Sequence, residues 1–129
     1  MVIAIGALLG IVTLVFMVLA KVSTERGTWA TLLVAIASFY PVFAVESGSL
    51  GSVAVQIGAA SFFIILAAAG ARVSLWFVVA GLVLHGLFDW AANHMPVDPS
   101  PDWWGPFCIG FDIVAAAYLA LKLWRKQIW

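Results

Sequence analysis

"LGSVAVQIGAASFFIILAAAGARVSLWFVVAGLVLHGLFDWAA", residues 50–92, carries only two charged residues, Arg72 and Asp89. As one helix it would be about 63 Å long at 1.5 Å per residue, twice the roughly 30 Å of a bilayer's hydrocarbon layer. The stretch therefore divides into two spans. The break falls at "GAR", residues 70–72, leaving apolar runs over 50–69 and 73–92.

Three further runs have the length and apolarity of a spanning helix: 2–20, 29–45 and 107–124. Between them lie "KVSTERGT", "ESGSLGS" and an outer loop over 93–106 that holds four of the five prolines. Of the 129 residues, 65% are hydrophobic and 9% charged, far from the roughly 45–50% apolar share of a soluble domain. The composition predicts an all-α integral membrane protein with one transmembrane domain over 1–129. Unpaired backbone is excluded from lipid, and the alternation of a β-barrel strand is absent. The first run has no basic segment before it and is too long for a signal-peptide core, so it is expected to be a retained span. A net charge of zero with scattered basic residues gives no sign of nucleic-acid binding, and one cysteine excludes an internal disulfide.

Five alternating spans place Lys21, Arg26, Arg72, Lys122, Arg125 and Lys126 all on one side and no basic residue on the other. The positive-inside rule then predicts the N-terminus outside and the C-terminus in the cytoplasm. Trp29, Trp76, Trp124 and Trp129 should lie near the cytoplasmic interface, and Trp90, Trp103 and Trp104 near the outer one. Gly6 and Gly10 have the GxxxG spacing of a close helix seam, either inside one bundle or with a second copy or a partner membrane protein.

Polarity is concentrated between residues 85 and 112, which contain both histidines, the cysteine and four of the six acids but no Lys or Arg. Helix rise puts His85 roughly 10 Å and Asp112 about 8 Å below the outer boundary on adjacent antiparallel helices, with Asp89 one turn above His85. His85 and Asp89 share a helix face continued by Asn93, and Cys108 and Asp112 share another. Tyr40, Gln56 and, at the rim, Glu46 fall at similar levels. Pro41 should kink the second span there. The outer half is expected to hold a polar pocket open to the outer face, and the inner half a hydrophobic plug.

An ionised acid deep in a membrane helix costs about 2.5–3.5 kcal/mol, and no basic residue is placed to offset it. Four readings answer that cost. His85, Asp89 and Asp112, with His94, Asp98 or Glu46 as further candidates, form an N/O ligand set for zinc or another divalent metal. Alternatively, His85 and an Asp act as acid and base on a lipid-like substrate, with Asp89 orienting His85 and Tyr40, Glu46, Gln56, Asn93 and Cys108 around them. A structural clasp of His85 on Asp112 would hold the helices together by about 1 kcal/mol. In the last, the chain is a non-catalytic accessory subunit docking a membrane partner. Transport is disfavoured because the inner half offers no acid or histidine to continue a path. Cys108 as a nucleophile is disfavoured because a lone Cys is commonly buried as a small hydrophobe. The Pro-rich "PVDPSPD" is either a lid over the site or a stiff connector anchored by Trp103 and Trp104.

The string His85-Gly86-x-Phe88-Asp89, then Pro101-x-Trp103-Trp104, then Phe107-Cys108-x-x-x-Asp112 resembles a motif set of small bacterial membrane proteins with no assigned activity. It covers roughly the last third of the chain. The resemblance implies a bacterial inner-membrane location and a cluster that acts as a unit. In those proteins a further histidine often follows the Phe-Asp element, and here His94 stands in that place.

Overall fold

The computed structural model describes residues 1–95 and 98–128; Pro96, Val97 and Trp129, which belong to the loop and belt expectations above, lie outside the described residues. The described residues form six helices and no strand: α1 (Val2–Leu19), α2 (Arg26–Ala37), α3 (Phe39–Ser47), α4 (Leu50–Arg72), α5 (Trp76–Ala92) and α6 (Trp104–Trp124). Four units are long and apolar enough to cross a membrane: α1, α2 with α3, α4, and α6. The fifth, α5, is apolar but has 17 residues. Large apolar side chains cover the outside, with Phe16 65% and Ile65 67% exposed, a surface suited to lipid rather than water.

Proline chemistry divides the second unit. Pro41 has no N–H to offer the Ala37 carbonyl, and α2 ends at that residue. Ser38 makes the joint and turns its hydroxyl back onto the Val34 carbonyl at 2.7 Å. Gly48, at φ 72°, then ends α3 in the left-handed conformation that glycine adopts freely. The Ser49 hydroxyl accepts from the Ser52 N–H and starts α4.

The turn after α4 is not at residues 70–72. The helix runs through Arg72, and residues 73–75 make the turn. A Cβ on Gly70 would lie 2.3 Å from Val78 Cγ2, so this glycine is what lets α4 and α5 pack tightly, not a break in the chain. Similarly, α6 begins at Trp104 rather than Phe107, since Pro106 is tolerated in a first helical turn.

Neighbouring helices pack as an open arc in the order α1, α6, α5, α4, with α2 and α3 on α4 and α2 also touching α5. Residue pairs along the seams give the directions. His85 meets Asp112 and Asn93 meets Gly105, so α5 and α6 are antiparallel. Gly6 faces Phe107 and Gly10 faces Val114, so α1 and α6 are parallel. A Cβ on Gly6 would come within 1.9 Å of the Phe107 carbonyl oxygen, and one on Gly110 within 2.1 Å of the Ile3 carbonyl oxygen. The small-residue face of α1 thus closes the α1–α6 seam within the chain.

The core has two parts. The larger contains Leu14, Trp29, Leu33, Phe63, Val78, Leu82 and Leu119. The smaller gathers Tyr40, Ala92, Trp104 and Cys108 near the α6 N-terminus, with Phe43, Phe88 and Phe107 against it. Two belt tryptophans are core residues instead: Trp29 is fully buried with its indole N–H donated to the Ser23 carbonyl, and Trp104 is 9% exposed. Trp76, Trp90, Trp103 and Trp124 are exposed, as a belt requires.

Candidate functional site

His85 and Asp89 lie one turn apart on α5, and Asp112 faces them from α6. Their exposures are 1%, 0% and 1%. His85 Nδ1 is 2.9 Å from Asp112 Oδ2 and 3.2 Å from Asp89 Oδ2. Two carboxylates from two helices therefore converge on one ring nitrogen. Nδ1 has at most one proton to offer the two carboxylates, and neither oxygen of Asp89 nor Asp112 Oδ1 has a donor of its own.

Aromatic residues surround this approach, and a side chain at Gly86 would not hinder it. Gly86, next to His85, has only the Asp112 Cβ near the place its own Cβ would take, at 3.9 Å. The imidazole is walled by ring edges, with Phe63 at 5.0 Å and Tyr40 at 6.2 Å between centroids. Phe88 stands edge-on to both Tyr40 and Phe63. These walls leave the carboxylates few polar neighbours besides each other and His85. Phe63 was not marked by the sequence, in which it looks like any other apolar helical residue, and Phe88 stood out only as a member of the motif string.

The expected surroundings divide. Tyr40 is buried, and its hydroxyl lies beside both Asp89 and Ser100 without a well-formed hydrogen bond to either. Cys108 is buried one turn from Asp112 with both carboxylates near it. Gln56 is buried in α4, its carboxamide oxygen without a partner. The structure does not bring His94 to the group. It is exposed beyond the end of α5, its ring on Trp90 at 4.7 Å and its Nδ1 2.7 Å from the Trp90 carbonyl oxygen. Glu46 is exposed near the end of α3, and Asn93 is exposed with its carboxamide against Gly105. Asp98 accepts from the Ser100 N–H and hydroxyl, which ties up the loop turn.

The group is sealed rather than open to the outer end. Tyr40, Phe43, Trp104 and Phe107 lie beyond it, and Ser100 of the loop is buried. The buried polar residues Ser52, Gln56, His85, Asp89, Ser100 and Asp112 all belong to this half of the bundle, so the layering of polarity expected from the sequence is present.

Chemically, the arrangement is an excess of acceptors. One atom from each of His85, Asp89 and Asp112 can be chosen so that the three lie within 4.8 Å of one another, as ligands of one metal ion do. At zinc bond lengths of about 2.0–2.1 Å, two tetrahedral ligands stand about 3.3 Å apart, a few tenths of an ångström from the separations at Nδ1. The donor set could hold a divalent ion, and the same contacts are those of His85 ion pairs with the two carboxylates. No family model, curated protein or solved structure matches the chain.

Proposed function

We propose that the chain is a five-span protein of a bacterial inner membrane that binds a divalent transition metal, zinc foremost, at His85, Asp89 and Asp112. Orientation follows the charges: the ends of α1, α4 and α6 that carry Lys21, Arg72 and Lys122 lie together, and the positive-inside rule makes that end cytoplasmic. On this reading α5 crosses as well, since it lies antiparallel between α4 and α6.

The observation that carries the metal reading is the pair of carboxylates on one nitrogen, fully buried, with three of their four oxygens lacking a hydrogen-bond donor. A structural clasp needs one acid for one imidazole. A second buried acid adds a desolvation cost that sharing one imidazole offsets only in part. A divalent cation balances two carboxylates and gives both of them a partner. Three protein ligands would leave a coordination position free, as catalytic zinc sites do. Tyr40, whose hydroxyl is beside Asp89, is placed to orient that carboxylate.

The test is elemental mass spectrometry of protein purified in detergent, beside Asp112→Asn. About one equivalent of metal per chain, lost in a variant that still elutes as a folded species, supports the site. Wild-type protein that stays metal-free after incubation with zinc overturns it.

A further inference from the structure

The arc of helices has an opening, and that opening reaches the site. Helix α1 approaches only α6 at backbone packing distance, and α6 approaches neither α2 nor α3. The two walls touch through side chains at the ends: Phe39 on Trp104 at 4.7 Å, and Trp29 on Tyr118 at 5.9 Å. Between them lies a groove of about 430 Å³ with Leu9 and Thr13 on one wall and Ile36 on the other. Cys108 and Asp112 form part of its floor.

We infer that this groove seats one hydrocarbon chain of a membrane lipid whose uncharged, hydroxyl-bearing end is presented to Asp112. The inference rests on the site proposed above and names the class of molecule that site would act on. Size suits a single hydrocarbon chain lying along the groove. Polarity selects the head. Asp112 and Trp104 line the groove, and each has a polar atom without a partner, the acceptor Asp112 Oδ1 and the donor Trp104 Nε1, both covered until the side chains shift toward a bound head. A hydroxyl both donates and accepts. Charge offers an anion nothing: among the described residues no Lys or Arg lines the groove, and in the proposed site the charge of a divalent ion is already balanced by two carboxylates. Position selects lipid, since both rims are exposed apolar side chains, among them Leu9 at 45% and Phe39 at 44%.

The experiment uses the full chain in phosphatidylcholine vesicles with two photoactivatable probes, a long-chain fatty alcohol and the matching fatty acid, each with a mid-chain diazirine. Adducts are mapped by peptide mass spectrometry. The alcohol should label the segments around Leu9, Ile36 and Cys108 saturably, in competition with unlabelled alcohol. The outward face of α4 at Ile65 should label weakly and without saturation. Ala35→Trp, which fills the groove from its exposed α2 wall, should reduce groove labelling to the Ile65 level. Leu9→Trp should do the same from α1. Metal content is measured on the same samples. Labelling without metal would defeat the metal reading alone; metal without saturable groove labelling would overturn the lipid inference alone. Equal labelling by the fatty acid, or cross-links from the groove to a second polypeptide, would overturn it too.

Discussion

Asp89 and Asp112 approach the same nitrogen of His85, at 3.2 and 2.9 Å, from helices that run in opposite directions. The pair is not symmetric. Asp112 makes the shorter contact with Nδ1, from a separate helix, whereas Asp89 is held there by its position one turn along α5 from His85. Their substitutions should therefore differ. Without metal, His85→Ala and Asp112→Ala should each destabilise the protein, and a double-mutant cycle should return a coupling of about 1 kcal/mol, as for polar contacts in membrane bundles. Asp89→Asn should be nearly neutral in the same apo protein. Thermal unfolding in detergent measures all four, and strict additivity of His85→Ala with Asp112→Ala would show that the 2.9 Å contact contributes nothing.

Zinc should change that ranking. A ligand bound only by the folded state stabilises it by about 2.7 kcal/mol at a hundred times its dissociation constant. Wild-type protein should then melt at a higher temperature with zinc than with a chelator. Asp89→Asn, almost silent without metal, should lose most of the shift. Because metal ligands bind deprotonated, the zinc-dependent shift should shrink as pH falls. A shift retained in full by Asp89→Asn would remove that residue from the ligand set.

Tyr40 separates packing from second-layer support of the metal. Its hydroxyl is buried without a hydrogen bond beside Asp89. An unsatisfied buried group costs roughly 1–3 kcal/mol, so Tyr40→Phe should leave the metal-free protein as stable as wild type or more stable. With metal, loss of an outer partner of a ligand typically lowers affinity by about 10–100-fold. The two measurements, melting without zinc and zinc titration, should move in opposite directions. A destabilised apo variant with unchanged zinc affinity would make Tyr40 a packing residue only.

The site was legible in the sequence to the extent that helix geometry is rigid. A fixed rise per residue and the short chain between two antiparallel helices put His85 and Asp112 at one depth before any contact was visible. The outward turn of His94 was not legible, because it depends on how the chain leaves α5. Nor were the burial of Trp29 and Trp104 or the groove beside α6. In a soluble helix the polar stripe marks the outside; here lipid-facing and core-facing sides are equally apolar, and Phe16, 65% exposed, reads in sequence much like Leu33, fully buried. The α4 turn was misplaced for a related reason. A glycine followed by Ala and Arg looks like a break, and only the packing of Val78 on Gly70 reveals a close helix crossing.

Glycine positions on α1 and α6 supply a further prediction. Gly6 and Gly110 meet backbone atoms, which cannot rotate away as a side chain can. Gly6→Ala and Gly110→Ala should each cost roughly 1–3 kcal/mol by overpacking. Gly58→Ala, with nothing within 4 Å of the new Cβ, should be neutral or slightly stabilising, since alanine is the better helix former. Thermal unfolding of the three variants decides it. A neutral Gly6→Ala would mean that α1 does not sit on α6 as described.

Membrane crossing by α5 is tested by sidedness, because the short helix sets the parity of everything after it. If α5 crosses, the 98–103 loop lies with Ser49 on one side, and Val73 lies with Gln127 on the other. If it does not, Val73 and the loop share a side, and the end of α6 moves to the side of Ser49. Single cysteines at Ser49, Val73, Asp102 and Gln127, all exposed, can be probed with a membrane-impermeant maleimide on intact bacterial cells, with Cys108 replaced by alanine. The expected pattern is Ser49→Cys and Asp102→Cys labelled from outside, and Val73→Cys and Gln127→Cys labelled only after permeabilisation. The inverse pattern would retain five spans and reverse the orientation drawn from the basic residues. Labelling of Asp102→Cys together with Val73→Cys would leave four spans and return α5, with His85 and Asp89, to a helix packed within the bundle without crossing the membrane.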